Sequence, residues 1–313
     1  MPHAEQSQSL ITIVVPVHNR ADLVRDCLAS IAAQTAAPLD VVLVDNASTD
    51  RTADVLRDWA AGVDPARLRV TVLSEPRPGA CRARNTGLRA VRTPWVMFFD
   101  SDDTMRTDHC RRALDAAARH PEASIIGWNV MLHTLDGSTR TLPFSSTDPL
   151  YCNVMFGTMA TQRYMARTEL VRAAGGWDED LRSWNDIELG CRLLARRPVP
   201  VHAGAEITVD VRQQTESLTG TSFSRRAGEL MLSLERMAAD GVPAAVLGLK
   251  GAILGADMCR EDRSDLGRDV AARTLAPVRG HARRLLLRAV FRLRRSGVRG
   301  LGRLLLPLFR RCR

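Results

Sequence analysis

Three carboxylates follow an apolar run in the segment FFDSDD, residues 98–103. Asp100, Asp102 and Asp103 are close enough to repel one another unless a cation neutralises them. Two carboxylates one residue apart can offer oxygens to Mg²⁺ or Mn²⁺, ions that keep several waters and whose coordination is completed by substrate phosphates. Such an ion would neutralise a diphosphate leaving group. The alternative is that Asp102 or Asp103 caps a helix beginning near residue 106.

A second acidic pair, Asp186 and Glu188, lies in WNDIELGCRLL (184–194), which has the pattern of a helix start. Free backbone N–H groups and the helix dipole favour ionised carboxylates at this end. An ionised carboxylate within reach of a hydroxyl can remove its proton as a general base. The alternative is that the pair only complements the dipole.

Asp45 ends an apolar run and begins DNASTD (45–50). A carboxylate at the end of the second strand can accept a hydrogen bond from a ribose hydroxyl or a base N–H. Ser48 or Thr49 can cap the helix that follows, and both interpretations can hold together. In GACRARNTG, Arg82 and Arg84 either contact phosphates or a nucleobase, or are simply solvated.

Apolar, β-branched runs alternate with helical spacing through the first hundred residues, which predicts a parallel, doubly wound sheet. Ligands of such sheets bind beyond the carboxyl ends of the strands. The strands are predicted at 10–17, 39–45, 68–74 and 94–100, and the helices at 21–34, 49–61 and 81–91. The polar clusters at Pro16–Asn19, Asp45–Ser48 and Asp100–Asp103 should therefore converge on one edge of the sheet.

The rest of the chain is predicted to hold a hairpin at 123–145, a strand at 159–166, a Gly-rich loop and helix at 175–197, and two later strands. From about residue 222 the pattern is helical. We expect a domain over 1–221. An Arg-rich helical region should follow at 222–313.

Composition excludes several classes of protein. The chain has 313 residues, 45% of them apolar and 25% charged, as in ordinary globular proteins. Its start is polar and no apolar run approaches the roughly 20 residues of a membrane span. Seven scattered cysteines without a CxxC pair predict neither a disulfide framework nor a zinc site. We therefore expect a cytoplasmic protein. The lack of a Walker loop or GxGxxG after the first strand argues against P-loop NTPases and dinucleotide dehydrogenases.

The net charge of +9 comes from the C-terminal tail, because residues 281–313 hold eleven arginines and no acid. Such a basic amphipathic helix is typical of proteins that bind anionic membrane surfaces. A solvated or intramolecular role is the alternative, and no nucleic-acid partner is expected because aromatic residues do not interleave the arginines. One predicted face carries Arg284, Arg288, Arg292, Arg295 and Arg299, and another carries Leu286, Val290 and Leu293.

Five motifs in this order resemble the large family 2 of nucleotide-sugar glycosyltransferases, over roughly residues 10–220. They are VVPVHN (14–19), VDNASTD (44–50), ARNTGLRAV (83–91), FFDSDD (98–103) and GGWDEDLRSWNDIELGCRL (175–193). The resemblance implies the GT-A fold, a Rossmann-like α/β fold with a mostly parallel sheet flanked by helices. In this chain, residues 10–105 would form the nucleotide-sugar-binding side of that fold and residues 106–221 the acceptor side, and a helical C-terminal extension would follow. It also implies direct displacement at the sugar, which inverts the anomeric centre.

The resemblance also implies residue roles. The donor would be held by Pro16, Val17, Asn19, Asp45, Arg84, Asp100 and Ser101. Asp102 would bind a divalent cation, Mn²⁺ or Mg²⁺, on the donor diphosphate, and Asp186 would be the catalytic base. Asp103 is left as a helix cap. Candidate acceptor or accessory residues are Trp177, Asn185, Glu188, Arg212 and Gln214.

Two positions depart from the family pattern: Asn185 stands where the family has Glu, and Gln214 stands where it has His. They leave open a weaker metal site and a non-catalytic nucleotide-sugar-binding module. A nucleotidyltransferase is the other alternative. The expected function is transfer of a hexosyl or N-acetylhexosaminyl group from a UDP-, GDP- or dTDP-sugar. The acceptor would be a hydroxyl of a glycan or lipid-linked molecule in cell-surface polysaccharide synthesis, at the inner face of the membrane.

Overall fold

A computed structural model describes residues 8–214 and 222–309. Its strands are β1 (Ile11–Val17), β2 (Leu39–Asp45), β3 (Leu68–Ser74), β4 (Trp95–Phe98), β5 (Thr104–Met105), β6 (Ile125–Gly127), β7 (Val130–His133), β8 (Thr139–Leu142), β9 (Tyr164–Arg167), β10 (Pro200–His202) and β11 (Val209–Arg212).

Helices alternate with the first strands and then dominate the chain. They are α1 (Val24–Ala32), α2 (Thr52–Gly62), α3 (Ala80–Ala90), α4 (His109–Arg119), α5 (Pro149–Phe156), α6 (Thr168–Ala173), α7 (Asn185–Ala195), α8 (Ala227–Ala239), α9 (Ala244–Arg260), α10 (Ser264–Leu275), α11 (His281–Arg295), α12 (Leu301–Leu304) and α13 (Leu306–Phe309).

Seven strands form the main sheet, in the order β10-β6-β9-β4-β1-β2-β3. The neighbours β4, β1, β2 and β3 run parallel, and β9 is antiparallel between β4 and β6. β1 and β2 are buried almost throughout, as expected of β-branched strands covered on both faces. The prediction of an α/β fold with a mostly parallel sheet flanked by helices is confirmed.

The carboxyl ends of the central strands lie on one edge of this sheet. Val17 of β1 is opposite Asp45 of β2, and Asp45 is opposite Ser74 of β3. On the other side of β1, the backbone N–H of Phe99 donates to the carbonyl of Val14 at 2.9 Å. The chain therefore leaves β1, β2 and β4 at the same edge, where the polar clusters were predicted to meet.

A smaller four-stranded sheet has the order β5-β11-β7-β8. Its β7–β8 hairpin turns within the segment predicted at 123–145. β11 pairs antiparallel with the short β5, which follows the acidic segment directly. As a result, the backbone N–H of Arg212 donates to the buried carboxylate of Asp103 at 2.9 Å. Asp103 thus anchors the small sheet and does not cap α4, which begins only at His109.

The chain divides into two compact units. The first comprises residues up to 146, 159–182 and 197–213, and it contains both sheets. The second comprises residues 147–158, 183–196 and 214–313, and its core is built from apolar side chains of α5, α7 and α8 to α13. Helix α7, which carries Asp186, belongs to this helical unit, and the domain boundary expected near residue 221 stays a prediction.

The arrangement of the tail differs in part from the predicted helical faces. Helix α11 ends at Arg295, so Arg299 lies beyond it. Val290 is buried together with Leu287, whereas 46% of the Leu293 side chain is exposed. The tail therefore supplies core residues of the second unit as well as exposed arginines. Within 8–214 and 222–309, no helix is long and apolar enough to cross a membrane.

Helix α3, which carries Arg84, packs closely on the parallel sheet at Gly87. A Cβ on Gly87 would lie 2.3 Å from Cγ1 of Val14 on β1, too close for any real contact. We expect Gly87→Ala to lower the free energy of unfolding by about 1–3 kcal/mol, since overpacking forces the helix away from the strand. Urea denaturation measures the change.

The matched control is Gly62→Ala at the end of α2, where the new methyl group meets nothing within 4 Å. Alanine there should be neutral or stabilise by up to about 1 kcal/mol. Equal losses at both positions would contradict the close approach of α3 to β1.

Candidate functional site

The loop after β1 is fastened to the loop after β2. Asn19 adopts a left-handed conformation, with a φ of 48°, which asparagine tolerates better than most residues. Its backbone N–H donates to Oγ of Ser48 at 3.0 Å, and its side-chain oxygen accepts from the N–H of Thr49 at 2.7 Å. Pro16 and Val17 precede this loop at the end of β1. Asn19 is thus placed at the predicted edge, in a role that shapes the loop.

At the end of β2, Asp45 is nearly buried, and its Oδ1 has no hydrogen-bond partner among the described residues. An unpaired buried carboxylate oxygen is costly unless a ligand completes it. Helix capping here is not done by Ser48 or Thr49. Instead, Oδ1 of Asp50 accepts from the backbone N–H of Thr52 at 2.9 Å. Asp45 is therefore available to a ligand donor such as a hydroxyl.

Arg84 is buried and forms an ion pair with Asp100 at 2.7 Å. Its guanidinium lies 4.4 Å from the ring centroid of Trp177, and that ring contacts Phe98 edge-on at 5.2 Å. Trp177 is 2% exposed, so it supports the arginine and offers little surface to an acceptor. Arg84 and Asp100 thus meet at the predicted edge, where the arginine fixes the carboxylate.

Among the described residues, Asp102 is the carboxylate of this cluster that is not bonded to another residue, since the hydrogen bond acting on it comes from its own backbone N–H. Burial, and secondly the charge of Asp100, raise its pKa to about 6. The same two causes, together with Asp102 itself, raise the pKa of the more deeply buried Asp103 well above its usual range. Ser101, between Asp100 and Asp102, is also buried.

The acidic cluster fits a cation that is only partly held by protein. No group of three or more His, Cys, Asp or Glu side chains in the described ranges could hold a metal ion. With Asp100 bound to Arg84 and Asp103 bound to the backbone of Arg212, Asp102 is the carboxylate left to bind a cation. Mg²⁺ and Mn²⁺ suit a site with one or two carboxylates, waters and substrate phosphates.

Asp186 lies in the first turn of α7, as predicted. The preceding Trp184 has a φ of 53°, a conformation that is strained for a bulky residue and turns the chain sharply into the helix. Oδ1 of Asp186 accepts from the N–H of Ile187 at 2.8 Å, and the carboxylate is partly exposed. This geometry holds an ionised carboxylate at the helix start, where the dipole favours it.

The accessory residues separate into distinct environments. Glu188 is buried and bonded by the guanidinium of Arg192, with one contact at 2.7 Å, so it is a poor substitute for Asp186 as a base. Asn185 is the first residue of α7. Nη1 of Arg212 forms an ion pair with Asp26 at 2.7 Å. Gln214 is the last residue before the gap in the described chain and is partly buried.

Sequence reasoning missed three residues of the strand-end cluster. Asn46 is buried, donates to the carbonyls of Glu75 and Arg77 at 3.1 and 2.8 Å, and accepts from the N–H of Gly79 at 2.7 Å. Glu75 has its pKa lowered to about 2 by hydrogen bonds from Arg77 and Thr86.

Arg20 is the third, because its charge acts on Asp102. Asn46 and Glu75 directly follow β2 and β3, and Arg20 lies in the loop after β1. Their positions after strands could have identified them from the sequence.

Part of the chain matches a known protein family. Residues 12–143 match the family model described as Glycosyl transferase family 2. The chain is 26% identical over 189 residues to the uncharacterized glycosyltransferase EpsJ of Bacillus subtilis. It is 38% identical over 128 residues to the succinoglycan biosynthesis protein ExoO of Rhizobium meliloti. These alignments cover 56% and 41% of this chain, and 54% and 35% of the two relatives. The chain thus spans about half or less of their length.

Solved structures share the fold over most of the chain. S. aureus TarS in complex with UDP-GlcNAc has a TM-score of 0.63 at 17% identity, covering 91% of this chain and 90% of that one. The mannosyltransferase PcManGT of Pyrobaculum calidifontis, in complex with GDP-Man and Mn²⁺, has a TM-score of 0.59 at 19% identity, covering 93% and 84%. At these identities the likeness is one of fold. The part of the chain that matches the Glycosyl transferase family 2 model, residues 12–143, contains the strand-end cluster.

Proposed function

We propose that the chain is an inverting glycosyltransferase that moves a sugar from a nucleotide sugar to an acceptor hydroxyl. The observation that carries this proposal is the meeting of Asp45, Arg84, Asp100 and Asp102 at the carboxyl edge of a parallel sheet. Ligands of such sheets bind at that edge. TarS and PcManGT, which share the fold, bind UDP-GlcNAc and GDP-Man.

In this mechanism Asp45 and Asp100 hold the nucleoside of the donor, and Asp102 faces its diphosphate. Asp186 accepts the proton of the acceptor hydroxyl as that oxygen attacks the anomeric carbon. The new glycosidic C–O bond forms while the bond to the nucleoside diphosphate breaks on the opposite face. The electron pair leaves with the diphosphate, and one displacement inverts the anomeric centre.

The divalent cation is part of the proposal. Bound through Asp102 and the donor phosphates, Mn²⁺ or Mg²⁺ would neutralise charge on the leaving group. Asp100 is kept in place by Arg84, and the buried Asp103 fixes the backbone around Asp102. Asn185 retains hydrogen-bonding capacity beside the base. The acceptor is proposed to be a glycan or lipid-linked molecule of a cell-surface polysaccharide pathway.

A donor screen tests the proposal. The protein is melted with UDP-, GDP- and dTDP-sugars and Mn²⁺, because a donor that binds the folded state raises its melting temperature. At least one donor should stabilise the protein and, once a mixture of glycan and lipid-linked acceptors is added, be converted to its nucleoside diphosphate. A nucleotidyltransferase would instead transfer the nucleotidyl group of the donor and release a sugar phosphate. A binding module would be stabilised by a donor without converting it.

Metal binding should depend on pH through Asp102. Because the folded-state pKa of Asp102 is raised to about 6, its burial makes the metal-free protein less stable as the pH rises from about 4 to 6. Mn²⁺ binds the deprotonated carboxylate, so the increase in melting temperature caused by Mn²⁺ should be full above about pH 7 and lost towards pH 5. Thermal melts across this range, with and without Mn²⁺, measure the effect. A Mn²⁺ shift that is unchanged at pH 5 would remove Asp102 from the metal site.

The arginines of α11 support the proposed contact with an anionic membrane surface. Arg284, Arg288, Arg292 and Arg295 line a groove of about 460 Å³ with Arg268 of α10. Its remaining lining residues are apolar, among them Leu275 and Phe291, and none is acidic. Basic groups beside apolar surface suit lipid headgroups.

Deleting the tail would not test membrane binding cleanly, since Leu287 and Val290 belong to the core. We expect the exposed triple variant Arg288→Gln/Arg292→Gln/Arg295→Gln to weaken binding to phosphatidylserine vesicles about a hundredfold, at roughly 1 kcal/mol per charge. Cosedimentation at low and high salt measures it. The control replaces three exposed arginines of the first unit, Arg25, Arg111 and Arg119. Equal binding by both variants would reject the contact.

A further inference from the structure

The chain contains one lysine, Lys250, among its 44 basic Lys and Arg residues, and places it in the apolar helix α9. Lys250 is partly buried and lines a cavity of about 400 Å³ within the second unit. Apolar side chains form much of the wall, from Met155, Phe156, Trp184, Phe223, Ile253 and Leu254. Cavities of this size, mostly apolar with a few polar groups, are typical of small-molecule sites.

The polar groups of this cavity are predominantly cationic. Its described lining holds Lys250, Arg294 and Arg303, with Asp257 as the acid. Asp257 is already bound by Arg294 through two hydrogen bonds of 2.8 and 3.0 Å. Lys250 and the exposed Arg303 are therefore the cations of the described lining that could face an anionic ligand, and the side chains around them are mostly apolar. Such a cavity favours a ligand that is anionic at one end and apolar elsewhere.

Lys250 also connects the cavity to the candidate base. Its Nζ lies 4.3 Å from the ring centroid of Trp184 and donates to the carbonyl of Met155 at 3.4 Å. Burial lowers the pKa of Lys250 to about 8, and the charge of Asp186 opposes that lowering. Trp184, a wall of the cavity, stands two residues before Asp186. A ligand in the cavity therefore lies beside the residue proposed to activate the acceptor.

We propose that this cavity binds the phosphate-bearing apolar portion of the acceptor. Lys250 and Arg303 would face the phosphate, and the aromatic wall would face the hydrocarbon part of the ligand. This assignment rests on the proposed function, because it takes Asp186 to be the base. It narrows the acceptor class from any glycan or lipid-linked hydroxyl to an apolar alkyl or prenyl phosphate that carries the acceptor sugar.

Calorimetry with n-decyl phosphate tests the site without turnover. We expect n-decyl phosphate to bind at least about tenfold more tightly than n-decanol or inorganic phosphate, because each lacks one of the two recognised parts. Lys250→Met should weaken the binding of n-decyl phosphate at least tenfold, since a charged hydrogen bond is lost. The binding of n-decanol should be unchanged. Arg260→Gln, at an exposed position on the same helix, is the matched control. Arg303→Gln provides a second test should Lys250→Met fail to fold.

Lysine-selective ¹³C labelling gives an independent signal, because the chain has one lysine. The Lys250 side-chain resonance should move on addition of n-decyl phosphate, and its pKa should rise in the complex. Binding should therefore weaken as the pH rises from about 8 to 9.5, and Lys250→Arg should remove that dependence. The charged or titratable groups around Lys250 are Asp186 and Cys191 of α7, Asp257 of α9, Arg294 of α11 and Arg303 of α12. Burial raises the pKa of Cys191 to about 12, above the range tested.

Binding of n-decyl phosphate that is equal in wild type, Lys250→Met and Arg303→Gln would overturn the assignment, as would an unmoved Lys250 resonance. Binding to phosphatidylserine vesicles with no response to n-decyl phosphate would also overturn it, in favour of membrane lipid. Donor conversion is measured on the same preparations. Conversion without n-decyl phosphate binding refutes this site alone. Binding without conversion of any donor refutes the proposed function and leaves a phosphate-lipid site.

Discussion

Asp186→Asn is expected to lower the rate of sugar transfer by about 10²–10⁴-fold, the usual contribution of a general base. The asparagine keeps the size of the side chain and its hydrogen bond to the first turn of α7, but it cannot take the acceptor proton. Donor binding should be unchanged, because the donor residues follow the strands of the first unit. Steady-state kinetics with the converted donor, together with its melting shift, measure both effects.

Asp265→Asn is the matched control, since Asp265 is an exposed acid in the first turn of α10 in the same unit. It should leave turnover within about twofold. If Asp186→Asn turns over donor as fast as Asp265→Asn, Asp186 is not the base. Glu188 could not replace Asp186 as the base in that case, because its carboxylate is buried and paired with Arg192.

Asp102→Asn is expected to remove the Mn²⁺-dependent part of donor binding and to lower turnover at least about a hundredfold. The reason is that the metal would stabilise the negative charge developing on the leaving group by several kcal/mol. The substitution removes a carboxyl group whose pKa is raised by burial and by the charge of Asp100, so the metal-free protein should not be destabilised. Titration of donor in Mn²⁺ and in EDTA, followed by thermal shift, measures the metal-dependent part.

Asp115→Asn, an exposed aspartate on α4, controls for the loss of a charge. The wild type and this control should bind donor more tightly in Mn²⁺ than in EDTA, whereas Asp102→Asn should bind equally in both. Wild-type binding that is the same in EDTA as in Mn²⁺ would remove the metal from the mechanism.

The strand-end cluster could be predicted from sequence because the parallel sheet converts local patterns into a shared edge. An apolar, β-branched run indicates a buried strand, and any polar residue after it must emerge at the carboxyl edge. That reasoning placed Asp45 and Asp100 at one edge, and the parallel pairing of β1 with β2 and β4 brings the ends of these strands to that edge.

The partners within the cluster could not be predicted, since they depend on contacts between distant segments. The ion pair of Arg84 with Asp100 needs α3 and β4 packed around the ring of Trp177, which comes much later in the chain. Asp103 was predicted to cap a helix because the sequence shows only its neighbours along the chain. Its hydrogen-bond partner is the backbone N–H of Arg212, which lies far away in sequence.

The helical unit was the least predictable part of the molecule. Its composition indicated helices, but charge patterning alone could not show that Leu287 and Val290 would join a core. Lys250 did carry a signal, as the single lysine inside an apolar helix. The cavity around it depends on packing among α5, α9 and α11, for which local patterning gives no register.

The most direct test of the central claim is the identity of the nucleotide product. The protein is incubated with a donor that stabilises it, Mn²⁺ and a mixture of glycan and lipid-linked acceptors, and the products are followed by ³¹P NMR. A sugar-transferring enzyme releases nucleoside diphosphate at a rate that Asp186→Asn reduces by orders of magnitude. Release of a sugar phosphate in place of nucleoside diphosphate, or bound donor that is never converted, would contradict the proposed function.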